Sequence, residues 1–280
     1  MNANQDQIDY WNGEAGRRWV ADQERLDAMM AETTLALIDA ADPQWGETVL
    51  DVGCGCGSTS IAYAEAVGPA GRVMGVDISA PMLAFARDRA KQHDIATIQF
   101  VEADAATRDL GEAGFDLVSS RFGVMFFADP IAAFRNIRRA MKPKGRLAFV
   151  CWRDWRQNEW VRVPVGAVRP HVPPQPPLAP DDPGPFAFAS LGRIRTILAA
   201  SGFDAIAAKP IDATGEFGNT LDEGVEYMMG FGPIARMLGP ASELERARAK
   251  ASLTSALRPY AAKGTIAMGL AQWLVTAKAG

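Results

Sequence analysis

The sequence predicts an α/β fold built around a parallel β-sheet. Short apolar segments alternate with segments that suit helices, and the connections between them are short. Strands that alternate with helices form parallel sheets with right-handed crossovers and helices on both faces. The predicted strands lie at 48–52, 72–77, 97–102, 115–120 and 146–151.

Helices are expected between these strands. Ser79 followed by Pro81 is a helix-start signal, with serine as the cap and proline in the first turn. Pro143-Lys144-Gly145 predicts a turn between a helix and the next strand. The predicted helices lie at about 57–67, 80–92, 105–110 and 129–141.

The first strand runs into a glycine-rich bend, Val49-Leu50-Asp51-Val52-Gly53-Cys54-Gly55-Cys56-Gly57-Ser58. A ligand can approach such a backbone closely because glycine has no Cβ. Asp77 ends the second strand, twenty positions after Gly57, and an acid there can accept hydrogen bonds from both ribose hydroxyls. Together these features predict a nucleoside-binding site.

The spacing of the glycines indicates which nucleoside binds. Dinucleotide-binding folds carry G-x-G-x-x-G and place a pyrophosphate at a helix N-terminus. Here the pattern is G-x-G-x-G with Ser58 after it and Asp51 before it. A carboxylate beside the bend repels a pyrophosphate and attracts an ammonium group. S-adenosylmethionine (SAM), which has a ribose and an amino acid end but no phosphate, fits this pattern better.

The segment VLDVGCGCGS resembles the first motif of the class I SAM-dependent methyltransferases, in particular their ubiquinone/menaquinone-biosynthesis-like small-molecule branch. The motifs that carry the resemblance lie within about 48–152. It implies a Rossmann-like, seven-stranded, mostly parallel sheet whose last strand runs antiparallel. Strands at 203–211 and 266–278 would complete that sheet. A helix at 190–201 would precede them and pack on it.

We expect residues 1–280 to form a single methyltransferase domain with two cap insertions. Nine prolines in the first insertion exclude a helix interior there, and the second insertion is helical and rich in methionine. Both leave the sheet at or near strand carboxyl ends, where open α/β sheets bind ligands. A surface elaboration is the alternative. The expected parts are a helical lead-in at 1–47, a cofactor-binding core at 48–152, insertions at 153–188 and 217–263, and the last strand at 264–280.

Fourteen residues are expected to contact the cofactor. The bend, which includes Cys54, would face the methionine portion, Asp51 its ammonium group, and Asp77 the ribose. The resemblance implies that Asp104 and the Ala105 amide meet the adenine, and that the strand end at 119–127 faces the transferred methyl group. The complete set is Trp11, Trp19, Asp51, Gly53, Cys54, Gly55, Gly57, Asp77, Ile78, Met82, Asp104, Ala105, Arg121 and Phe122.

Structural roles compete with several of these assignments. Asp51 could brace a loop, and Ile78 and Met82 could be ordinary core residues rather than contacts of the adenine face. Arg121 could form a structural salt bridge. The large aromatic residues of the lead-in could pack it onto the sheet instead of covering a cationic sulfonium, which an aromatic face attracts.

No general base is evident, so the catalytic residue is unknown. The candidates are Arg121, which could orient an anionic substrate, His171 and Tyr10. The fourth strand end lacks the Asn/Asp-Pro-Pro-Tyr run of amine methyltransferases, which argues against adenine or amide N-methylation. We expect direct in-line displacement on a hydrophobic or aromatic small molecule, which releases S-adenosylhomocysteine.

The amino-acid composition indicates which partners and sites to expect. The 280 residues are 48% hydrophobic and carry a net charge of −4, so a nucleic acid partner is not expected. A membrane span, a signal peptide and a metal site are not expected either; Cys54-Gly-Cys56 lacks two further ligands at metal spacing. Three cysteines suit a reducing cytoplasm. A homodimer is a further possibility.

Three other functions are considered. A dinucleotide dehydrogenase would need glycine at position 58, which is serine. A SAM-dependent enzyme of non-methyl chemistry would share every motif above. A non-catalytic SAM-binding protein would lack a cavity for the acceptor.

Overall fold

A computed structural model describes residues 4–174, 182–261 and 264–280. The chain forms two compact units. The first contains Met1–Trp152, Asp181–Pro210 and Trp273–Gly280, and the second contains Arg153–Pro180 and Ile211–Gln272.

A seven-stranded mixed sheet with helices on both faces forms the centre of the fold, which confirms the predicted fold class. Its order is β3-β2-β1-β4-β5-β7-β6, and the pairings β1–β2, β2–β3, β1–β4 and β4–β5 are parallel. The strands are β1 (Thr48–Val52), β2 (Arg72–Asp77), β3 (Ile98–Glu102), β4 (Phe115–Arg121), β5 (Met141–Trp152), β6 (Phe203–Glu216) and β7 (Ala267–Ala279).

The direction of strand order reverses beside β1. Chain order runs from β1 through β2 to β3 on one side, and from β4 to β5 on the other. Open α/β sheets bind ligands in the crevice at such a switch point, outside the strand carboxyl ends. The glycine bend follows β1, so the fold places it at this crevice.

β1 and β4 are almost completely buried. Val49, Leu50 and Leu117 have no exposed surface. Because helices cover both faces of a parallel sheet, its central strands need continuous apolar sequences. Asp51 is the exception in β1, and its burial marks it as a residue that needs partners.

The described residues contain twelve α-helices. Pro81 lies in the first turn of α6, as predicted. Ser79 caps no amide with its side chain and donates its hydroxyl to the Trp11 carbonyl instead. The helices are α1 (Gln5–Asn12), α2 (Glu14–Ala21), α3 (Gln23–Met29), α4 (Ala31–Ala41), α5 (Ser58–Val67), α6 (Ala80–Gln92), α7 (Pro130–Ala140), α8 (Glu159–Val168), α9 (Leu191–Ala200), α10 (Leu221–Met229), α11 (Gly232–Leu238) and α12 (Glu243–Leu257).

The predicted helix at 105–110 is wrong, because this segment forms a turn. Its first residues are held by Asp104, whose carboxylate accepts a hydrogen bond from the Ala106 amide at 2.9 Å. The Asp104 carbonyl accepts from the amides of Thr107 and Arg108. Aspartate side chains compete with helix hydrogen bonds in this way.

The exclusion of a helix from 153–188 is also wrong. α8 contains Pro164, which is buried together with Trp160, Val161 and Val168. These four residues share one helix face. Burial of that face offsets the lost backbone hydrogen bond, which costs about 3 kcal/mol in a helix interior.

Parts of three predicted segments lie outside the described residues. They are 1–3 of the lead-in, 175–181 of the first insertion, with Pro176, Pro177 and Pro180, and 262–263 of the second insertion. No helix within the described ranges combines the length and apolar character that a membrane crossing requires.

An aromatic cluster lies within the second unit. The rings of Tyr227 and Phe231 stack at 5.0 Å, and those of Trp160 and Phe217 lie nearly parallel at 6.4 Å. A small apolar pocket lies among them. Its lining comprises Trp160, Val161, Pro164, Val165, Phe217, Met228, Phe231, Pro233 and Ile234.

Asn158 joins the start of α8 to β7 within the second unit. Its fully buried amide donates to the Ala271 carbonyl at 3.1 Å and accepts from the Ala271 amide at 2.8 Å. It also accepts from the Trp160 indole at 3.1 Å. A single side chain therefore satisfies several buried polar groups.

We expect Asn158→Ala to lower the free energy of unfolding by about 2–4 kcal/mol, because it leaves buried partners unpaired. Urea denaturation followed by circular dichroism measures this loss. Asn219→Ala, at an exposed asparagine of the same unit, is the control and should change stability by less than about 0.5 kcal/mol. Equal effects of the two substitutions would refute this role for Asn158.

Candidate functional site

The glycine bend requires glycine for two separate reasons. Gly53, Gly55 and Gly57 have φ of 68°, 54° and 83°, in the left-handed region that side chains disfavour. A Cβ on Gly53 would lie 2.6 Å from the Gly123 Cα, and one on Gly55 would lie 2.8 Å from the Met82 methyl group. The bend therefore packs tightly against the end of β4 and the start of α6.

Asp77 is hydrogen-bonded to the bend. One carboxylate oxygen accepts from the Gly55 amide at 2.8 Å, and the other accepts from the Ser79 amide at 2.8 Å. Asp77, the residue predicted to bind the ribose, thus holds Gly55 of the bend in place. Loss of hydration raises the pKa of the Asp77 carboxyl to about 6, although the two amides favour its charged form.

Asp51 is completely buried in β1, and among the described residues only one of its two carboxylate oxygens has hydrogen-bond partners. Its Oδ2 accepts from the hydroxyls of Thr59 at 2.7 Å and Ser60 at 2.6 Å, which braces the first turn of α5. Its Oδ1 is buried without a hydrogen-bond partner in the described part of the chain. Burial raises the pKa of this carboxyl. An unpaired carboxylate oxygen of this kind suits a cationic donor from a ligand.

Asp104 lies in the turn after β3. Its Oδ2 accepts from the Asn4 amide at 3.0 Å, and its Oδ1 accepts from the Ala106 amide. The neighbouring Ala105 is buried, and its carbonyl accepts from Asn136 at 2.9 Å. The adenine assignments of Asp104 and Ala105 stay predictions.

Two apolar candidates follow Asp77 in the chain, and Met82 lies beside the bend. Met82 is buried and its methyl group faces Gly55. Ile78 is partly buried, and its carbonyl accepts from the Asn12 side chain at 2.8 Å. Their contact with an adenine stays a prediction.

The N-terminal helices reach the loop that follows β2. Asn12 accepts from the Ala80 amide at 2.9 Å in addition to its bond with Ile78. Trp11 meets the Trp19 ring edge-on at 5.6 Å and the Phe126 ring at 5.5 Å. Tyr10 contacts Trp11 at 5.2 Å and is 42% exposed.

Arg121 ends β4 and is mostly buried. It donates to the Thr34 hydroxyl at 2.8 Å, and its guanidinium lies 3.7 Å from Asp27. Burial lowers the pKa of Arg121, while Asp27 and Asp51 act in the opposite direction. These contacts support the structural salt bridge and leave its role toward a substrate a prediction.

Phe122 follows Arg121 and has φ of 68°, which is rare for a bulky residue. Its ring stacks on Trp152 at 4.5 Å with an interplanar angle of 12°. Backbone outliers of this type cluster at functional sites. Sequence reasoning missed Trp152, because an aromatic residue at a strand end gives no separate signal.

His171 lies in the second unit, in a short 3-10 helix formed by Arg169–His171. Its catalytic role stays a prediction. Sequence reasoning also missed Asn4, Asn12, Gln23 and Asp27, because their partners lie far away in the chain and no local pattern identifies them.

The cysteines of the bend are buried free thiols. Burial raises the pKa of the Cys56 thiol to about 12 and the pKa of Cys54 well above its usual value. Both thiols therefore stay protonated and are poor nucleophiles. Across the described ranges, no group of three or more His, Cys, Asp or Glu side chains is placed to hold a metal ion.

Residues 49–145 match the family model of the methyltransferase domain. This segment is a methyltransferase domain. The match covers β1 to the start of β5, including the bend, Asp77 and Asp104. The resemblance predicted from the bend is confirmed.

Named methyltransferases are similar to this domain. Nocamycin O-methyltransferase of Saccharothrix syringae is 30% identical over 179 residues, which cover 60% of this chain and 62% of the relative. A demethylmenaquinone methyltransferase of Listeria welshimeri is 36% identical over 107 residues, which cover 38% of this chain and 45% of the relative. The chain thus matches less than two thirds of the length of either protein.

The fold is also shared with a solved structure. The YcgJ protein from Bacillus subtilis superposes with a TM-score of 0.59 and 20% sequence identity. The superposition covers 89% of this chain and 98% of that protein. The likeness therefore extends beyond the methyltransferase domain to most of the architecture.

We expect Gly53→Ala to lower the free energy of unfolding by about 3 kcal/mol or more, because it adds a clash with Gly123 to left-handed backbone strain. Gly111→Ala is the matched control: it has φ of 82° with nothing within 4 Å of an added Cβ. That control should cost only about 1–2 kcal/mol. Urea denaturation of both variants measures the difference, and equal losses would contradict the close packing of the bend.

Proposed function

We propose that the chain transfers a methyl group from SAM to a small-molecule acceptor by in-line displacement. The observation that carries the proposal is the Asp77 carboxylate, which lies against the glycine bend and accepts from Gly55. The Asp77 carboxylate can accept hydrogen bonds from ligand hydroxyls, and it lies beside a glycine backbone that a ligand can approach closely.

Asp77 has the capacity to bind a ribose. An ionised carboxylate offers about four lone-pair sites. The amides of Gly55 and Ser79 bond one oxygen each, and the Ile78 amide also favours the charged form. The remaining acceptor capacity would serve the ribose hydroxyls, and the bonds to Gly55 and Ser79 would be kept.

The charges near β1 and β4 match the zwitterionic end of SAM. The unpaired Oδ1 of Asp51 would accept from the ammonium group. The Arg121 guanidinium has five N–H donors, of which Thr34 and Asp27 engage only part. Its remaining donors would meet the carboxylate group. A pyrophosphate would instead lie close to the buried negative charge of Asp51.

The adenine would lie between the β2 and β3 loops. Met82 and Ile78 supply apolar contacts next to Asp77. Asp104 and Ala105 supply polar groups after β3, as the resemblance implies. The Asn4 amide now occupies one oxygen of Asp104, so an adenine amino group would share or replace that contact.

SAM supplies a methyl group that is already electrophilic, so the chain mainly needs to position the reactants and exclude water. Well-oriented reactants can gain about 7–11 kcal/mol from positioning alone. The aromatic rings of Phe122, Trp152, Trp11 and Phe126 at the carboxyl end of the sheet would exclude water there. Arg121, His171 and Tyr10 stay candidates for a direct catalytic role.

We propose a hydrophobic or aromatic acceptor. Two relatives are named for nocamycin and demethylmenaquinone, which favours a small organic acceptor. The segments 153–188 and 217–263, which we propose as its cap, carry the aromatic cluster of the second unit. The buried free thiols suit a cytoplasmic location. A homodimer and the lack of a nucleic acid partner stay predictions.

Isothermal titration calorimetry with SAM tests the proposal, with NAD and FAD as comparison ligands. We expect SAM to bind in the micromolar range and Asp77→Ala to weaken it by about 5- to 150-fold, which corresponds to roughly 1–3 kcal/mol. Asp39→Ala, which removes an exposed carboxylate of α4, should leave the affinity unchanged. Tight binding of SAM by Asp77→Ala would refute the ribose assignment.

The affinity for SAM should also decrease as the pH is lowered. The Asp77 carboxyl has a pKa of about 6 in the unliganded protein, so it takes up a proton as the pH falls through that value. If only the ionised form binds, affinity at about pH 5 should be roughly tenfold lower than the plateau near pH 8. Asp77→Asn should bind weakly and lose this dependence. A flat profile for the wild-type protein would contradict the role of the charge.

A further inference from the structure

We infer that Asp27 is a positioning residue that fixes the N-terminal helices to the cofactor-binding bend. This inference rests on the proposed binding of SAM and concerns a residue outside the expected contact set. Asp27 lies on α3, yet its carboxylate contacts groups on α5, α6 and β4. All of these elements belong to the first unit.

Four side chains converge on this carboxylate. Oδ1 accepts from Ser58 and from Gln23 at 2.6 Å, and the Arg121 guanidinium lies 3.7 Å from the same oxygen. Oδ2 accepts from Arg89 at 2.9 Å. The exposed fractions of the Asp27, Arg89 and Arg121 side chains are 26%, 20% and 13%, so water screens their charges only in part.

Arg89 transmits the contact to the bend itself. Its second nitrogen donates to the Cys56 carbonyl at 3.1 Å and to the Ser58 hydroxyl at 3.0 Å. Cys56 lies between Gly55 and Gly57, whose left-handed backbone shapes the proposed cofactor site. Asp27 therefore orients, through Arg89, a carbonyl of the bend that would hold the methionine portion.

Charge makes Asp27 necessary in this arrangement. It is the acidic partner of two arginines, Arg89 and Arg121, which repel each other's positive charge. Without Asp27, two partly buried guanidinium groups would face each other next to the bend. Such an unpaired arrangement is costly, and movement of α3 and α6 would relieve it.

The other N-terminal contacts follow the same pattern. Asn12 binds the loop after β2, and Asn4 binds Asp104 after β3. Thr34 on α4 accepts from Arg121 at the end of β4. Helices α1–α4 and their flanking residues thus contact each segment proposed to bind SAM, and Asp27 supplies the charged contact among them.

The test compares Asp27→Asn with Glu24→Gln, an equal charge change at an exposed position of the same helix. Calorimetry with SAM well below the melting temperature is the first readout. We expect Asp27→Asn to bind SAM at least tenfold more weakly and Glu24→Gln to bind within twofold of the wild type. Asp27→Glu, which retains the carboxylate, should recover most of the affinity.

The second readout needs no SAM. Limited trypsin digestion reports on cleavage at Arg17, Arg18 and Arg25 in α2 and α3, and Asp27→Asn should accelerate it at least fivefold relative to Glu24→Gln. If Asp27→Asn fails to fold, Ser58→Ala removes one hydroxyl contact and should act in the same direction, severalfold more weakly. Wild-type affinity and cleavage in Asp27→Asn would overturn the inference. If the wild-type protein itself does not bind SAM, the proposed function fails and the digestion alone decides this inference.

Discussion

The hydrogen bond from the Gly55 amide to the Asp77 carboxylate joins the two strand ends that define the proposed site. Gly55 follows β1 and Asp77 ends β2, so the bond fixes the bend relative to its neighbouring strand. The amides of Gly53 and Cys54 add to this connection by donating to the Val76 carbonyl at 2.8 Å and 3.2 Å. The bend is therefore held by backbone and side-chain bonds before any ligand binds, which is the preorganisation that tight binding requires.

Asp51 and Arg121 place a negative and a positive charge near this hydrogen-bonded bend. A buried carboxylate with one unpaired oxygen destabilises the unliganded protein, because burial of an unsatisfied charge is unfavourable. A ligand ammonium group would relieve that cost, so the same feature that weakens the fold would strengthen binding. The arginines beside Asp27 place positive charge near the bend, where Arg89 donates to the Cys56 carbonyl. These groups would complement the ammonium and carboxylate groups of the amino acid end of SAM.

The sequence was sufficient to predict the first five strands and the glycine bend, since both depend on local patterns, whereas the roles of the site residues stay predictions. The first two strands follow from apolar runs that the structure places at the predicted residues. The bend follows from glycine spacing. The turn after β3 was missed because Asp104 captures the local amides, and α8 was missed because packing of Trp160 and Val161 overrides the effect of Pro164. Asp27 contacts Ser58, Arg89 and Arg121, which lie 31 to 94 positions away in the chain, and pairing over such distances leaves no trace in a single sequence.

The most direct test of the central claim is a crystal structure of the protein with S-adenosylhomocysteine, the product of the proposed reaction. We expect both ribose hydroxyls within about 3.2 Å of the Asp77 carboxylate, in the range of a hydrogen bond, with the ammonium group facing Oδ1 of Asp51. A ligand bound away from the bend, or a ribose turned away from Asp77, would contradict it.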